Sequence, residues 1–220
     1  MNLTNLKITP KLGILVGVTL LGLCAAGALA GYLMQREMLN ARIDQTKAIV
    51  EMGLNMAAGL KKQVDAGEMT KEAALKEFGR RANSMTYDKG AGYLFGTGYN
   101  GITVLAPDPK QVGTNRMDVV TNGRKLSVEL MEGVKANGSI LLFYEYVKPG
   151  EEKPIRKMGY AVNVPGFDMY LGTGAYLDDL DAKMKPIAWL LGLAILGIAV
   201  ISGSIAWMIG RSIADRKSVV

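Results

Sequence analysis

The chain has no histidine and a single cysteine, Cys24, among its 220 residues. Without histidine it lacks the commonest general base, the usual serine and cysteine triads, and most zinc and haem sites. One cysteine excludes a disulfide within the chain. No Gly-Lys-Ser or Gly-Lys-Thr occurs, so there is no P-loop. The chain is not expected to be an enzyme, and no cofactor is expected either. Charge is missing from two long stretches: neither 12–34 nor 187–210 contains Lys, Arg, Asp or Glu.

Those uncharged stretches are what the chain has in abundance. At ~1.5 Å per residue each is roughly 35 Å long as a helix, enough for a ~30 Å hydrocarbon core. Lys7 and Lys11 precede the first without an acid, and Arg211, Arg216 and Lys217 follow the second against Asp215. Just inside, Arg36 stands beside Glu37, and Asp178, Asp179 and Asp181 beside Lys183 and Lys185. The positive-inside rule then places both tails in the cytoplasm and the intervening segment outside. The net charge of +6 divides accordingly. Five basic residues and one acid give the tails +4, leaving +2 for the middle, so the basic balance is an anchoring feature and no nucleic-acid partner is expected.

The expected organisation is a cytoplasmic tail (1–11), a first membrane helix (12–34), an extracytoplasmic domain (35–185), a second membrane helix (187–210) and a cytoplasmic segment (211–220). Membrane lipid is therefore a partner. Ala28-Leu29-Ala30 resembles a signal-peptidase site, but the apolar run is longer than a typical signal core, which favours an uncleaved anchor. Leu23 before Cys24 is too large for a lipoprotein box. Trp189 and Trp207 stand ~27 Å apart along a helix, matching two interfacial belts, with Tyr32 a similar anchor on the first span. Gly13/Gly17 and Gly27/Gly31 form small-xxx-small pairs that fit either a dimer seam or the general abundance of glycine in membrane helices.

Between the spans the pattern begins helical. Ile43, Val50 and Ala57 recur every seven residues, with Met52, Met56 and Leu60 widening the stripe. Asp65-Ala66-Gly67-Glu68 ends this helix. A second, over 70–84, opens at a Thr70 cap and buries Ala73, Ala74, Leu75 and Phe78. Strands follow at 92–95 and 102–105 around the Asn100-Gly101 turn, then a helix at 124–136 and strands at 140–147, 157–164 and 169–176. Pro149-Gly150 and Pro165-Gly166 mark turns. A short segment from Asp178 then leads through Pro186 into the second span. The fold class is α+β: a long N-terminal helix packed on a PAS-like antiparallel sheet, here of five strands, flanked by two transmembrane helices.

Two apparent motifs have plainer readings. Gly96-Thr97-Gly98-Tyr99-Asn100-Gly101 spells a dinucleotide fingerprint, but strand-like Ile-Thr-Val-Leu follows where a helix N-terminus is required. Asp178, Asp179 and Asp181 lack the glycine-punctuated spacing of a calcium loop and read as helix-capping acids. The tyrosines are more informative. Tyr93, Tyr144, Tyr146, Tyr160, Tyr170 and Tyr176 all fall on strands, as core or as the rim of a pocket on the sheet face away from the long helix.

The ordered motifs resemble the single-Cache sensor domain of bacterial methyl-accepting chemotaxis receptors. They are Gly92-Tyr93-Leu94-Phe95, Tyr99-Asn100-Gly101, Leu105-Ala106-Pro107, Tyr144-Glu145-Tyr146-Val147-Lys148-Pro149-Gly150, Lys157-Met158-Gly159-Tyr160 and, most specifically, Leu171-Gly172-Thr173-Gly174-Ala175-Tyr176-Leu177-Asp178-Asp179. The resemblance covers roughly 36–185. It implies a homodimer joined through the long helix and a periplasmic pocket for a small-molecule ligand, often a short organic acid. Tyr93, Phe95, Tyr144, Tyr146, Lys157 and Tyr160 are the implied lining. Lys157 is then either a carboxylate partner or a solvated strand edge, with Arg116 and Lys125 as basic alternatives. The family commonly has His-Pro where this chain has Ala106-Pro107. Gly210-Arg211-Ser212-Ile213-Ala214 is similar to the opening of a HAMP linker, which implies cytoplasmic partners reached through an output domain beyond Val220. The expectation is a chemoreceptor's sensory half in the inner membrane, signalling by helix displacement. Alternatives are the sensor half of a histidine kinase or cyclic-dinucleotide cyclase, or a stand-alone membrane-anchored binding protein.

Overall fold

The computed structural model describes residues 8–216. The outer parts of the two tails, 1–7 and 217–220, lie outside the described residues, as do the side chains of residues 8, 9, 181 and 213–216. Among the described residues two compact units emerge, one from 8–38 and 180–216 and the other from 39–179. Helices α1 (Ile8–Asp65) and α4 (Asp178–Arg216) each contribute to both.

The first unit is two apolar helical stretches. Both are long and apolar enough to cross a membrane, with windows of mean hydropathy 2.3 and 2.2 that are almost wholly unburied. Hydroxyls within them bond back to their own helix, Thr19 Oγ1 to Leu15 O at 2.8 Å and Ser202 Oγ to Ile198 O at 2.6 Å. These two hydroxyls are thereby satisfied without water, as an apolar setting requires. Gly27 lies against Leu191, where a methyl would come within 2.8 Å of Cδ2, so this glycine serves a contact inside the chain. Gly13, Gly17 and Gly31 face open space. The helix from Asp178 runs unbroken through Pro186, where the sequence suggested a short separate segment. Proline removes one N–H bond and crowds the carbonyl four residues back, and the helix nevertheless continues into the apolar run beyond it.

The second unit is an antiparallel sheet covered on both faces. Strands β1 (Thr86–Tyr87), β2 (Gly92–Gly98), β3 (Thr103–Leu105), β4 (Ser139–Val147), β5 (Pro154–Val164) and β6 (Met169–Tyr176) pair in the order β1-β2-β6-β5-β4, with β3 also on β2. The sheet thus has six strands and not five. Two-residue β1 is too short to leave a periodic signal. Helix α2 (Lys71–Asn83) begins where its cap predicts, with Thr70 Oγ1 accepting from Ala73 N at 3.1 Å. Helix α3 (Leu126–Asn137) ends at Gly138, whose φ of +75° favours glycine.

One sheet face carries the main core. Thr46, Val50, Gly53, Ala57 and Leu60 form the buried stripe of α1, spaced four and three residues apart. Ala57 and Leu60 pack with Ala74, Phe78, Leu94, Val164, Met169 and Leu171. Gly53 lets the helix approach closely, since a methyl there would meet Leu171 Cδ2 at 2.7 Å. Met52, expected on this stripe, is 53% exposed, and Ala73 of α2 also faces outward. Each lies one residue from a buried position (Gly53, Ala74), and a single ~100° helical step turns it to solvent.

Leu171 is fully buried at the centre of this face. Leu171→Ala is expected to destabilise the domain by about 3 kcal/mol through lost contact and a residual cavity. Chemical denaturation of the detergent-solubilised chain, followed by circular dichroism, measures this.

Candidate functional site

Because side chains alternate along a strand, the face turned from α1 carries Tyr93, Phe95 and Thr97 of β2, Lys157, Gly159 and Ala161 of β5, and Tyr170, Gly172, Gly174 and Tyr176 of β6. On β4, Tyr144 stands opposite Lys157 and Leu142 opposite Gly159. Glycines therefore form a floor beneath large side chains. A methyl on Gly172 would lie 2.7 Å from the Phe95 ring, one on Gly174 2.7 Å from Lys157 Cε, and one on Gly159 2.9 Å from the Tyr144 ring. The Gly-Thr-Gly of β6 is thus legible physically. Its glycines face the cavity, while Thr173 between them faces the other way and donates to Tyr93 O at 2.6 Å.

Over this floor lies a cavity of about 90 Å³, roofed by α3 and by the segment between β3 and α3. Lys157 lines it and is only 1% exposed. Its Nζ donates to Tyr93 Oη at 2.8 Å and more weakly to Tyr176 Oη at 3.4 Å. It sits 4.2, 4.5 and 5.1 Å from the ring centroids of Tyr93, Tyr176 and Tyr146. Among the described residues no carboxylate lies within ion-pair distance of it. Burial pushes its ammonium down to a pKa of about 7, because a charge leaving water without a partner is strongly disfavoured. Burial also raises the phenols of Tyr93, Tyr144 and Tyr176 well above the ordinary tyrosine value. The Tyr144 and Tyr146 rings meet edge to face at 6.1 Å.

Of the six residues singled out by sequence, the structure brings five into this lining: Tyr93, Phe95, Tyr144, Tyr146 and Lys157. Tyr160 is not among them. It stands three residues from Lys157 and so faces the opposite side of the sheet, where Lys47 of α1 lies 6.0 Å from its ring centroid. Of the two basic alternatives, Arg116 lines the cavity while Lys125 pairs with Asp118 at 2.8 Å on the surface. Ala106 and Pro107 also line it, so the residue that is commonly histidine in the resembling family is here a methyl facing the cavity. Sequence reasoning missed Thr97 and Thr103, while Tyr170, grouped with the strand tyrosines as core or pocket rim, lines the cavity as well. The alternation Tyr93, Phe95, Thr97 and the hairpin that sets Thr103 opposite Thr97 were the available signals. The glycine-rich stretch from Gly96 forms that hairpin, Gly98 N donating to Ile102 O at 2.8 Å. Asp178 and Asp179 form ion pairs, with Lys148 at 2.9 Å and with Arg42 of α1.

The sequence profile of Single Cache domain 2 matches residues 38–190. The chain belongs to this family. The Cache domain here is similar to a Cache chemosensory domain solved as a structural basis for carboxylic acid recognition, at 23% identity and TM-score 0.61, covering 65% of this chain and 98% of that one. It is also similar to a methyl-accepting chemotaxis protein from Vibrio parahaemolyticus, at 25% identity and TM-score 0.58, covering 69% and 99%. In sequence it resembles the methyl-accepting chemotaxis protein McpP of Pseudomonas putida, 21% identical over 96% of this chain and 39% of that protein. The sensor histidine kinase MctS of Rhizobium johnstonii is 32% identical over 51% of this chain and 24% of its own length. The chain therefore spans about two fifths and about a quarter of these relatives. The Cache fold and its kinship with chemoreceptor and histidine-kinase sensor domains follow.

Two outcomes are expected of the Cache domain itself. Gly174→Ala places a methyl 2.8 Å from Met158 O as well as against Lys157. It should cost about 1–3 kcal/mol by overpacking, seen as a lowered Tm. Between pH 7 and 10 the unfolded chain holds the Lys157 proton that the folded chain has released, since burial depresses the folded pKa from 10.5 to about 7. Ligand-free stability should therefore rise over that window and then fall as the unfolded tyrosines ionise ahead of the buried ones. In Lys157→Met the rise should vanish. Thermal melts across a pH series check both parts.

Proposed function

We propose that this Cache domain senses a short carboxylic acid outside the inner membrane and passes the signal inward through its two apolar helices. One observation carries the reading: a fully buried lysine, Lys157, faces a small tyrosine-rimmed cavity without a carboxylate partner. An isolated buried ammonium is costly, and an anionic occupant relieves that cost. Tyr93 and Tyr144 supply phenol groups beside it, suited to a carboxylate's second oxygen. The described chemosensory neighbour's recognition of carboxylic acids accords with this chemistry. The cavity's size favours a small acid.

In this reading transmission starts at the same lysine. Tyr176 accepts from Lys157 and donates to Val147 O at 2.9 Å. Two residues later α4 begins, with Asp178 and Asp179 holding Lys148 and Arg42. A ligand that draws the Lys157 ammonium toward itself alters the Tyr176 contact at the root of α4. It shifts the domain only by its differential affinity for the two arrangements. The proposed setting is a homodimer in the inner membrane with the sensor domain periplasmic and both tails cytoplasmic. Kinship with McpP favours a methyl-accepting output, and the stretch shared with MctS makes a histidine-kinase output the second reading. The chain's own part in either case is binding and transmission, without catalysis.

Titration calorimetry of the solubilised chain with acetate and propanoate tests the reading. Binding is expected in at least one case. Lys157→Met should weaken it by roughly ten- to a hundredfold, the value of charge-assisted bonds to a buried cation. Above pH 7, where free Lys157 loses its proton, affinity should drop about tenfold per pH unit. Binding that is indifferent both to Lys157→Met and to pH removes the proposal.

A further inference from the structure

Lys157 carries an amine as well as a charge, and its setting is that of a nucleophile. Its stem lies on Gly174, where a methyl would meet Cε at 2.7 Å, so the side chain is held in place from below. Nζ stands 2.8 Å from Tyr93 Oη and 4.2, 4.5 and 5.1 Å from three ring centroids. The titratable and charged groups of the lining besides Lys157 are Tyr93 from β2, Tyr144 and Tyr146 from β4, Tyr170 from β6 and Arg116 from the segment between β3 and α3. Tyr176 of β6 adjoins Nζ as well, at 3.4 Å, and α3 contributes no titratable side chain. No Asp or Glu lines the cavity, so it offers no carboxylate that would hold the amine in its protonated form.

Burial without a carboxylate releases the Lys157 proton near neutrality, at a pKa of about 7. An exposed lysine at that pH keeps all but roughly one part in a thousand of its ammonium. A desolvated lysine is a nucleophile of the kind that attacks carbonyl compounds. The surroundings also select among carbonyls. An aldehyde brings in no charge and the imine it forms is neutral, so neither state needs a counter-ion that the aromatic rim lacks. Tyr93 supplies a hydroxyl able both to give and to take a proton at the reacting nitrogen.

We propose that Lys157 is a reversible covalent site for a short uncharged aldehyde. The neutral Nζ attacks the carbonyl carbon, a C–N bond forms, and the carbonyl π pair moves to oxygen. That oxygen takes the Tyr93 Oη proton, which the new N–H replaces on the phenol. The nitrogen lone pair then closes the C=N bond as the hydroxyl leaves, protonated through the same phenol. In sum the carbonyl oxygen and both amine hydrogens depart as one water, and nothing is oxidised or reduced. Carboxylate binding uses the ammonium and this reaction the free amine, so neither reading rests on the other.

The test treats the full chain in detergent micelles with acetaldehyde and sodium cyanoborohydride, which fixes imines as alkylamines, and reads each lysine by peptide mass spectrometry. At pH 7 Lys157 should be alkylated at least about tenfold faster than exposed Lys125. From pH 8 to 10 the ratio of the two rates should fall about tenfold per pH unit, because only the exposed amine is still losing its proton. Tyr93→Phe, checked for folding by circular dichroism, should slow Lys157 about tenfold or more and leave Lys125 unchanged. Without reductant, acetaldehyde should raise the Tm of the unaltered chain and leave that of Lys157→Met where it was. Should Lys157→Met not fold, the labelling of the unaltered chain still decides. Lys157 alkylated no faster than Lys125, or a ratio constant to pH 10, would overturn the inference, and undiminished labelling in folded Tyr93→Phe would remove the phenol from it. Labelling at Lys157 in a chain that binds neither acetate nor propanoate upholds this site while the carboxylate reading fails. Acid binding without such labelling does the reverse.

Discussion

A sheet covered on both faces must sort its side chains two ways with a period of two residues, and the rest of this domain follows from that constraint. On β6, Met169, Leu171, Thr173 and Ala175 turn to α1, while Tyr170, Gly172, Gly174 and Tyr176 turn to the cavity. On β2 the same rule sends Leu94 into the core and Tyr93, Phe95 and Thr97 to the cavity. One face can then be filled to native density by an approaching helix. The other is kept from filling by glycines, over which tyrosine and lysine side chains lean. The packed core and the cavity are therefore written on alternate residues of the same strands.

The cavity face tolerates a feature the core face does not. Lys157 is held by phenol oxygens and aromatic rings, which soften the cost of burying an ammonium but do not cancel its charge. A fully satisfied ion pair in its place would be electrically closed and indifferent to an anion. Leaving the lysine short of a carboxylate costs the domain some stability, and on the proposed reading leaves the site open to an anion. Tyr176 connects this lysine to the turn where β6 passes into α4. Leu177 N donates there to Arg156 O at 3.0 Å, and the acids of the first helical turn engage Lys148 and Arg42. The cavity-facing charge and the root of α4 are thus joined by one hydrogen bond and two residues of chain.

Much of this was legible in the residue order. The stripe at Val50, Ala57 and Leu60, the Thr70 cap, the Asn100-Gly101 turn and the strand at 169–176 each reflect local chemistry with a short repeat, and each appears in the fold. What escaped was short or depended on distant contacts. Two-residue β1 pairs with β2, and its Tyr87 also reaches across to Thr173 Oγ1 at 2.8 Å, a partner 86 residues away. The site was legible to the same degree. Residue types and family motifs selected Tyr93, Phe95, Tyr144, Tyr146 and Lys157, but they also selected Tyr160, whose place on the opposite face follows from strand register.

By itself the sequence determined the apolar runs, the helix and strand periods, the turn positions and the chemistry available for a site, because each depends on neighbours within a few residues. The tertiary structure decided which cations face the cavity. Lys157 and Arg116 enter it, whereas Lys125 finds Asp118 on the surface and Lys148 finds Asp178 at the start of α4. In the sequence these are all similar basic residues. Only pairing between distant strands, and the burial it imposes, separates a lysine satisfied by a carboxylate from one left facing an enclosed space.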